Sequence, residues 1–187
     1  YMEENKANIE FEGKEAMYGE VYFLRAYYYF ELVKFFGDVP LFTEARLTAG
    51  QAGTLTRTPK DEVYAQIELD LQNAIASLPN SQSQVGRVNK YTAYALLGKV
   101  LLYQDKFAEA ASALDNVIGV YSLVSDYGSQ FLRFGENGPE SVFEIQYSNQ
   151  SNWYDWGCTH CSEGNYAIIM NGPRGWSGPE YAQGWSF

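Results

Sequence analysis

The final third of this chain holds the residue types best suited to grip or transform a ligand. Asn152, Trp153, Tyr154, Asp155 and Trp156 run consecutively, three flat rings set among an amide and a carboxylate. Arg174 and Trp176 form a second group, framed by glycines. An indole or phenol offers a flat apolar face with a polar edge, so rings beside polar groups suit an exposed contact surface. Trp is also highly buried on average. For each tryptophan taken singly, plugging a loop onto a scaffold and meeting a ligand are equally open. The expectation is that at least one of the four meets a ligand.

Carboxylates for acid–base work lie in the same region. Asp155, Glu163 and Glu180 stand among aromatic rings, as the pair of a glycoside hydrolase would. No flanking pattern fixes two of them at a defined separation, and a carboxylate also accepts hydrogen bonds from hydroxyl groups. Nucleophilic catalysis by a Ser-His-Asp set would have to use His160 alone, and no nucleophile elbow is present. Cys158 and Cys161 flank that His in Cys-Thr-His-Cys. With one His and no second Cys pair, a closed four-ligand zinc site would need carboxylates. A local disulfide or two free thiols is the reading adopted, and no metal or cofactor is expected.

Composition narrows the classes further. A formal charge of −10 argues against a nucleic-acid partner, because binding a run of phosphates requires clustered bases. Eleven Phe, sixteen Tyr and four Trp exceed what a core of this size needs, which suits contact surfaces as well as packing. At 187 residues the chain is one domain's worth of polypeptide. No signal peptide and no lipid-attachment Cys lies near Tyr1, and the chain stops at Gly-Trp-Ser-Phe without a closing element. A piece of a longer protein is therefore expected, with its targeting segment elsewhere.

Something must hold these groups in place, and the first two thirds read as helices. Glu20 to Phe36 is apolar around most of its circumference. Glu20, Glu31 and Lys34 share one narrow arc, and Arg25 points the other way. So thin a polar stripe predicts a central helix with neighbours on most sides, and Tyr27 to Tyr29 are expected in inter-helix packing. Charges interrupt the run, which excludes a transmembrane span. Gly37 and Pro40 write its stop. A buried arginine is more often paired than ligand-binding, and Asp70, isolated between Leu69 and Leu71, is the expected partner of Arg25.

Before this helix, residues 1–20 carry six acids and two bases and read as a solvated lead-in. After it, Leu41 to Arg57 reads as loop. Thr58 as N-cap and Pro59 at the first helical position open a second helix, with Val63, Ile67, Leu71, Ala74 and Leu78 inward. Ser81 to Arg87 is a polar turn. Asn89 caps a third helix to about Tyr103, and a fourth covers Phe107 to Ile118 with Ala110, Ala111, Leu114 and Val117 on one side. Gly98 and Ala110 are small where these last two would cross, which follows tetratricopeptide spacing. Tyr121–Leu123 and Val142–Tyr147 alternate, as short strands or extended segments do.

Several of these stretches occur in an order that resembles a known family. Leu24-Arg25-Ala26-Tyr27-Tyr28-Tyr29-Phe30 leads to Phe36-Gly37-Asp38-Val39-Pro40-Leu41; Arg57 and Thr58 precede Asp70-Leu71, Ala74 and Leu78-Pro79; Gly86-Arg87-Val88-Asn89-Lys90 precedes Ala93 to Tyr103; and Glu140 to Gln146 and Gly184-Trp185 follow. From about Glu15 to Phe187 the chain resembles the SusD/RagB family of bacterial outer-membrane nutrient-binding lipoproteins. The resemblance implies an incomplete single domain over residues 1–187, lacking a lipid-bearing N-terminus and a C-terminal portion. Its fold would be mainly α: a tetratricopeptide-like helical-hairpin scaffold over about 15–120. A loop-rich, aromatic- and Gly-rich ligand side with a few short strands would follow over about 121–187. It also implies a non-enzymatic, surface-exposed protein that captures oligosaccharides, or in some members peptides, for a SusC-like TonB-dependent transporter. Asn152, Trp153, Tyr154, Asp155, Trp156, Arg174 and Trp176 are then the expected ligand residues. Sugar C–H faces stack on rings, at roughly 1–3 kcal/mol per ring by analogy with base stacking, and hydroxyl rims meet polar side chains.

Overall fold

The computed structural model describes residues 6–8, 10–44 and 47–146. One compact unit runs to Glu144. A second, from Ile145 to Phe187, contributes only residues 145 and 146 to the described set. The longest helix, α1, spans Lys14–Phe36 and starts before the apolar run at Glu20. Its buried side carries Tyr18, Gly19, Phe23, Ala26, Phe30 and Val33, the three-and-four spacing of one helical face. Gly37 ends it at φ +66°, a region open to glycine, with its N–H on the Val33 carbonyl at 3.0 Å.

Two expectations about α1 are corrected. Met17, Val21, Leu24, Tyr28, Leu32 and Phe35 form one exposed stripe among the described residues, so that face of the helix is uncovered there. Tyr28 leaves the packing that Tyr27 and Tyr29 join. Apolar periodicity measures how much of a circumference is apolar, not which element covers it. In the acidic lead-in, Lys14 is buried instead of solvated, because its ammonium donates to the Lys6 carbonyl and Glu10 Oε1, both at 2.6 Å.

The connection after α1 contains a one-turn helix, α2 (Ala49–Ala52), where loop was expected. Gln51 N–H donates to Thr48 Oγ1 and Gln51 Oε1 accepts from Thr48 N–H, a reciprocal capping box. The next helix, α3, spans Lys60–Ser77. Thr58 is not its cap. Its N–H is taken by the Val39 carbonyl at 2.9 Å, and the free Lys60 N–H goes instead to Asp38 Oδ1 at 2.8 Å. The end of α1 therefore caps the start of α3. Val63, Ile67, Leu71, Ala74 and Leu78 are all buried, as the spacing predicts.

α1 and α3 pack antiparallel, Gly19 against Leu78 near one end and Arg25 against Asp70 further along. Arg25 Nε and Nη2 donate to the two oxygens of Asp70 at 2.7 and 2.6 Å, a bidentate pair. Gln66 Nε2 adds a third donor at 2.9 Å, and Arg25 Nη1 reaches the Thr43 carbonyl at 3.3 Å. Asp70 is 1% exposed and the Arg25 side chain 28%. The hydrogen bond to Asp70 raises the arginine pKa further above its ordinary value, against the opposing effect of burial. The expected structural pair is present, and it leaves no bare charge in the core.

α4 (Lys90–Leu102) follows a polar turn and is capped as expected, Asn89 Oδ1 accepting the Thr92 N–H at 3.0 Å. Asp105, at φ +59°, turns the chain into α5 (Phe107–Leu114). α4 packs on α3 and α5 on α4, so the helices form successive hairpins. α5 stops short of the expected Ile118. Asn116 Nδ2 takes the Ser112 and Ala113 carbonyls, and the backbone tightens to a Val117 N–H bond on Leu114. Ala111 is exposed and Ala113 faces inward in its place. Gly98 lies under Leu114: a β-carbon there would sit 2.5 Å from Leu114 Cγ.

Residues 121–144 return along the helices without a ladder. Pairing among the described residues is limited to isolated bridges, Val39 with Thr58 and Ile118 with Tyr121. Short 3₁₀ turns at Tyr127–Phe131 and Arg133–Gly135 fill the middle. The extended segment around Phe143 is anchored by its ring, edge-on to Phe23 at 5.6 Å, and by Thr92 Oγ1 donating to the Val142 carbonyl at 3.1 Å.

Two substitution series test this packing. Gly98→Ala gains helix propensity of about 1 kcal/mol but overpacks Leu114, which costs about 1–3 kcal/mol; urea unfolding should show a net loss, relieved by adding Leu114→Ala. A raised midpoint would mean that Leu114 swings aside freely. Arg25→Ala strands Asp70 with Gln66 alone and should cost about 3 kcal/mol. Asp70→Ala leaves a guanidinium that can still reach water and should cost about 2 kcal/mol. The pair Arg25→Met/Asp70→Leu should be more stable than Arg25→Ala. Equal losses below about 0.5 kcal/mol for both single variants would mark the pair as a surface bridge.

Candidate functional site

Every residue expected from the sequence to touch ligand, Asn152, Trp153, Tyr154, Asp155, Trp156, Arg174 and Trp176, lies outside the described residues. So do Glu163 and Glu180 of the hydrolase alternative, and Cys158, His160 and Cys161. The structure therefore brings none of them together and separates none of them. Among the described residues no group of three or more His, Cys, Asp or Glu side chains is placed to hold a metal ion, and no helix is long and apolar enough to cross a membrane.

Concavities of the helical unit include a groove and a cleft. A groove of about 540 Å³ runs between α3, α4 and α5, floored by Leu97, Leu101 and Ala113 and edged by Tyr94 and Asn116. Lys106 Nζ spans it to Glu68 Oε1 at 2.6 Å, and Gln104 Nε2 meets the same oxygen at 2.8 Å. Lys106 and Glu68 are thus paired with each other, while Glu109 also lines the groove.

The second concavity, a cleft of about 200 Å³, opens between the turn that joins α3 to α4 and the returning segment 137–144. Its position follows from α1. Glu20, on that helix, receives Arg87 Nε and Nη2 at 2.8 and 2.6 Å, one on each carboxylate oxygen. The hydrogen bond raises the Arg87 pKa above its ordinary value, the Glu20 charge acting in the same direction. Gln82 Nε2 donates to the same Glu20 Oε1 at 3.0 Å and to the Val88 carbonyl at 2.8 Å, while Arg87 Nη1 donates to Gln84 Oε1 at 3.2 Å. Across the cleft, Asn89 Nδ2 meets the Tyr121 hydroxyl at 3.4 Å, and Glu144 Oε1 accepts the Asn137 N–H at 3.0 Å.

The cleft was not visible in the sequence. Gln82, Gln84 and Arg87 read there as a polar turn and Tyr121 as part of an extended segment, with Ser141 just ahead of the next one at Val142. One signal was present: five polar side chains within the seven residues 81–87, more than a turn needs. Contacts distant in the chain build it: Asn89 meets Tyr121 across 32 residues, and Arg87 ties the turn to Glu20 across 67.

Comparison with known proteins places this geometry in context. The sequence model of a SusD-like family, described as starch-binding and associating with the outer membrane, matches residues 1–102. A curated relative, SusD-like protein P2 of Formosa agariphila, is 33% identical over 98% of this chain and 35% of its own length. This chain spans about a third of the length of its first two curated relatives, 35% and 34%. Among solved structures, a laminarin-binding SusD-like protein superposes with a TM-score of 0.81 at 36% identity, over 90% of this chain and 39% of the other. Surface glycan-binding protein A from Bacteroides thetaiotaomicron, in complex with laminarihexaose, superposes with a TM-score of 0.72 at 26% identity, over 87% and 35%.

Proposed function

We propose a function from one premise: this chain belongs to the SusD-like family. On that premise it is part of a non-enzymatic binding protein, exposed and lipid-anchored at the outer membrane, that captures oligosaccharide and passes it to a SusC-like TonB-dependent transporter. The observation that carries the reading is the likeness to two proteins whose ligand is laminarin or its hexaose. The chain's own chemistry agrees with it. Trp153, Tyr154 and Trp156 offer flat apolar faces for sugar C–H groups, and Asn152 and Asp155 offer partners for hydroxyls. Arg174 and Trp176 repeat the combination. Asp155, Glu163 and Glu180 serve in this reading as hydrogen-bond acceptors, since nothing in the sequence sets two of them at a hydrolytic separation.

Capture for import requires release, which favours a few stacked rings over a deep pocket. Two or three rings at roughly 1–3 kcal/mol each suffice for micromolar to millimolar capture once the cost of association is met.

Calorimetric titration of the full chain with laminarihexaose tests the proposal. Trp153→Ala and Trp156→Ala should each weaken binding about tenfold, the equivalent of about 1.4 kcal/mol, with the unfolding midpoint unchanged. Undiminished affinity in both variants would remove these rings from the site. Release of shorter sugars during the titration would overturn the non-enzymatic reading, and binding of peptides but of no glycan would replace the ligand class.

A further inference from the structure

The cleft beside the α3–α4 turn has a composition that its structural role does not use up. Its guanidinium is committed, since Glu20 holds Arg87 with both oxygens, and Glu144 accepts the Asn137 backbone N–H. An anionic ligand would have to displace Glu20 from Arg87 and would face the Glu144 carboxylate. Four neutral polar groups remain uncommitted on residues that line it. Gln82 uses only its NH₂ group, for Glu20 and Val88, which leaves Oε1 as a free acceptor. Gln84 uses only Oε1, for Arg87, which leaves its NH₂ as a free donor. The Tyr121 hydroxyl accepts from Asn89 and keeps its own proton to donate, and Ser141 Oγ is uncommitted.

Each glutamine is oriented through its occupied end. Gln82 donates to two acceptors at once, so reversing its amide would set oxygen against oxygen, and Gln84 must face the guanidinium with its carbonyl. The free end of Gln82 is thus pre-positioned, so a ligand meets little ordering cost there, and the bond to Arg87 directs that of Gln84. Val85 and Phe143 add apolar surface to the same lining. The volume, about 200 Å³, equals the liquid share of six or seven waters at about 30 Å³ each, the bulk of one monosaccharide unit. Donors and acceptors in mixed order, a guanidinium already held by Glu20 and an apolar wall match a neutral polyol better than an anion or an apolar ligand.

We propose that this cleft is a subsite for one neutral sugar unit, built wholly from residues 82–144 and independent of the tryptophan-bearing residues. It rests on the glycan-binding reading above and adds a second place on the chain where sugar is held. Hydrogen bonds from Gln84, Tyr121 and Ser141 to hydroxyl oxygens, and from a hydroxyl to Gln82, define it.

Side-chain amide resonances of Gln82 and Gln84 in ¹H–¹⁵N spectra of the full chain supply the test, with glucose, laminarihexaose and glucuronate as probes. Glucose and laminarihexaose should shift both amides saturably, and the shifts should persist in Trp153→Ala/Trp156→Ala. In Gln84→Ala/Tyr121→Phe the remaining Gln82 amide should lose its shift while the thermal midpoint stays put; Ser141→Ala gives a second variant that spares both amides and should weaken the response severalfold. Laminarihexaose bound by calorimetry with both amides unmoved would overturn the subsite and leave the glycan reading intact. A larger response to glucuronate than to glucose would overturn the neutral class. No binding of any sugar by the full chain would overturn both.

Discussion

One carboxylate decides how this scaffold is assembled. Asp70 is almost wholly removed from water in the middle of α3, where an unpaired charge costs several kcal/mol. Only a fork-shaped donor on the facing helix satisfies both of its oxygens, and Arg25 supplies one. The requirement sets the rotation and the register of α1 against α3 together, because a slip of one residue would move the guanidinium off the carboxylate. Phe23, Ala26 and Phe30 then fall into the core beside Ile67, Leu71 and Ala74. The same guanidinium touches the Thr43 carbonyl, which ties down the connection that leads toward α2.

Once α1 is placed, the rest follows outward along it. Near its start, Glu20 receives Arg87 and Gln82, so the turn before α4 is held to the helix that also carries Arg25. That pair is partly solvated and adds little stability; its effect is to position. At the far end of α1, Asp38 caps α3. Three polar bridges thus spring from one helix and its C-terminal extension, and the cleft is a consequence of the first. The final hairpin uses shape instead of charge: Gly98 lets α5 approach until Leu114 lies over the backbone of α4. Positions 121–144 need no sheet to stay in place, since Phe143 reaches the aromatic cluster of α1.

Much of this was legible in the sequence, for physical reasons that differ by element. The periods in α1, α3 and α4 were long enough to define a face, and Asn89 and Gly37 are residues whose backbone roles are narrow. Arg25 and Asp70 could be matched because each is the only charge on an apolar face. α2 was missed although its Thr48–Gln51 capping signature was present, because four residues carry no period. The exposed side of α1, with Leu24, Tyr28 and Phe35, reads as core in the sequence because hydrophobicity names no partner. The cleft stayed hidden since its walls come together only through the tertiary fold. As for the ring-bearing residues 152–176, their chemistry could be read, while their arrangement depends on backbone that no sequence period specifies.

The account divides labour between a helical unit that fixes positions and a ring-bearing segment that grips sugar. All four tryptophans lie between residues 153 and 185, and the helical unit contains none, so tryptophan emission reports on that segment alone. Titrating the full chain with laminarihexaose while recording indole emission and its quenching by acrylamide addresses the division directly. The account predicts a saturable emission change and protection from the quencher over the same concentration range as calorimetric binding. Sugar bound by calorimetry with emission and quenching both unchanged would contradict it.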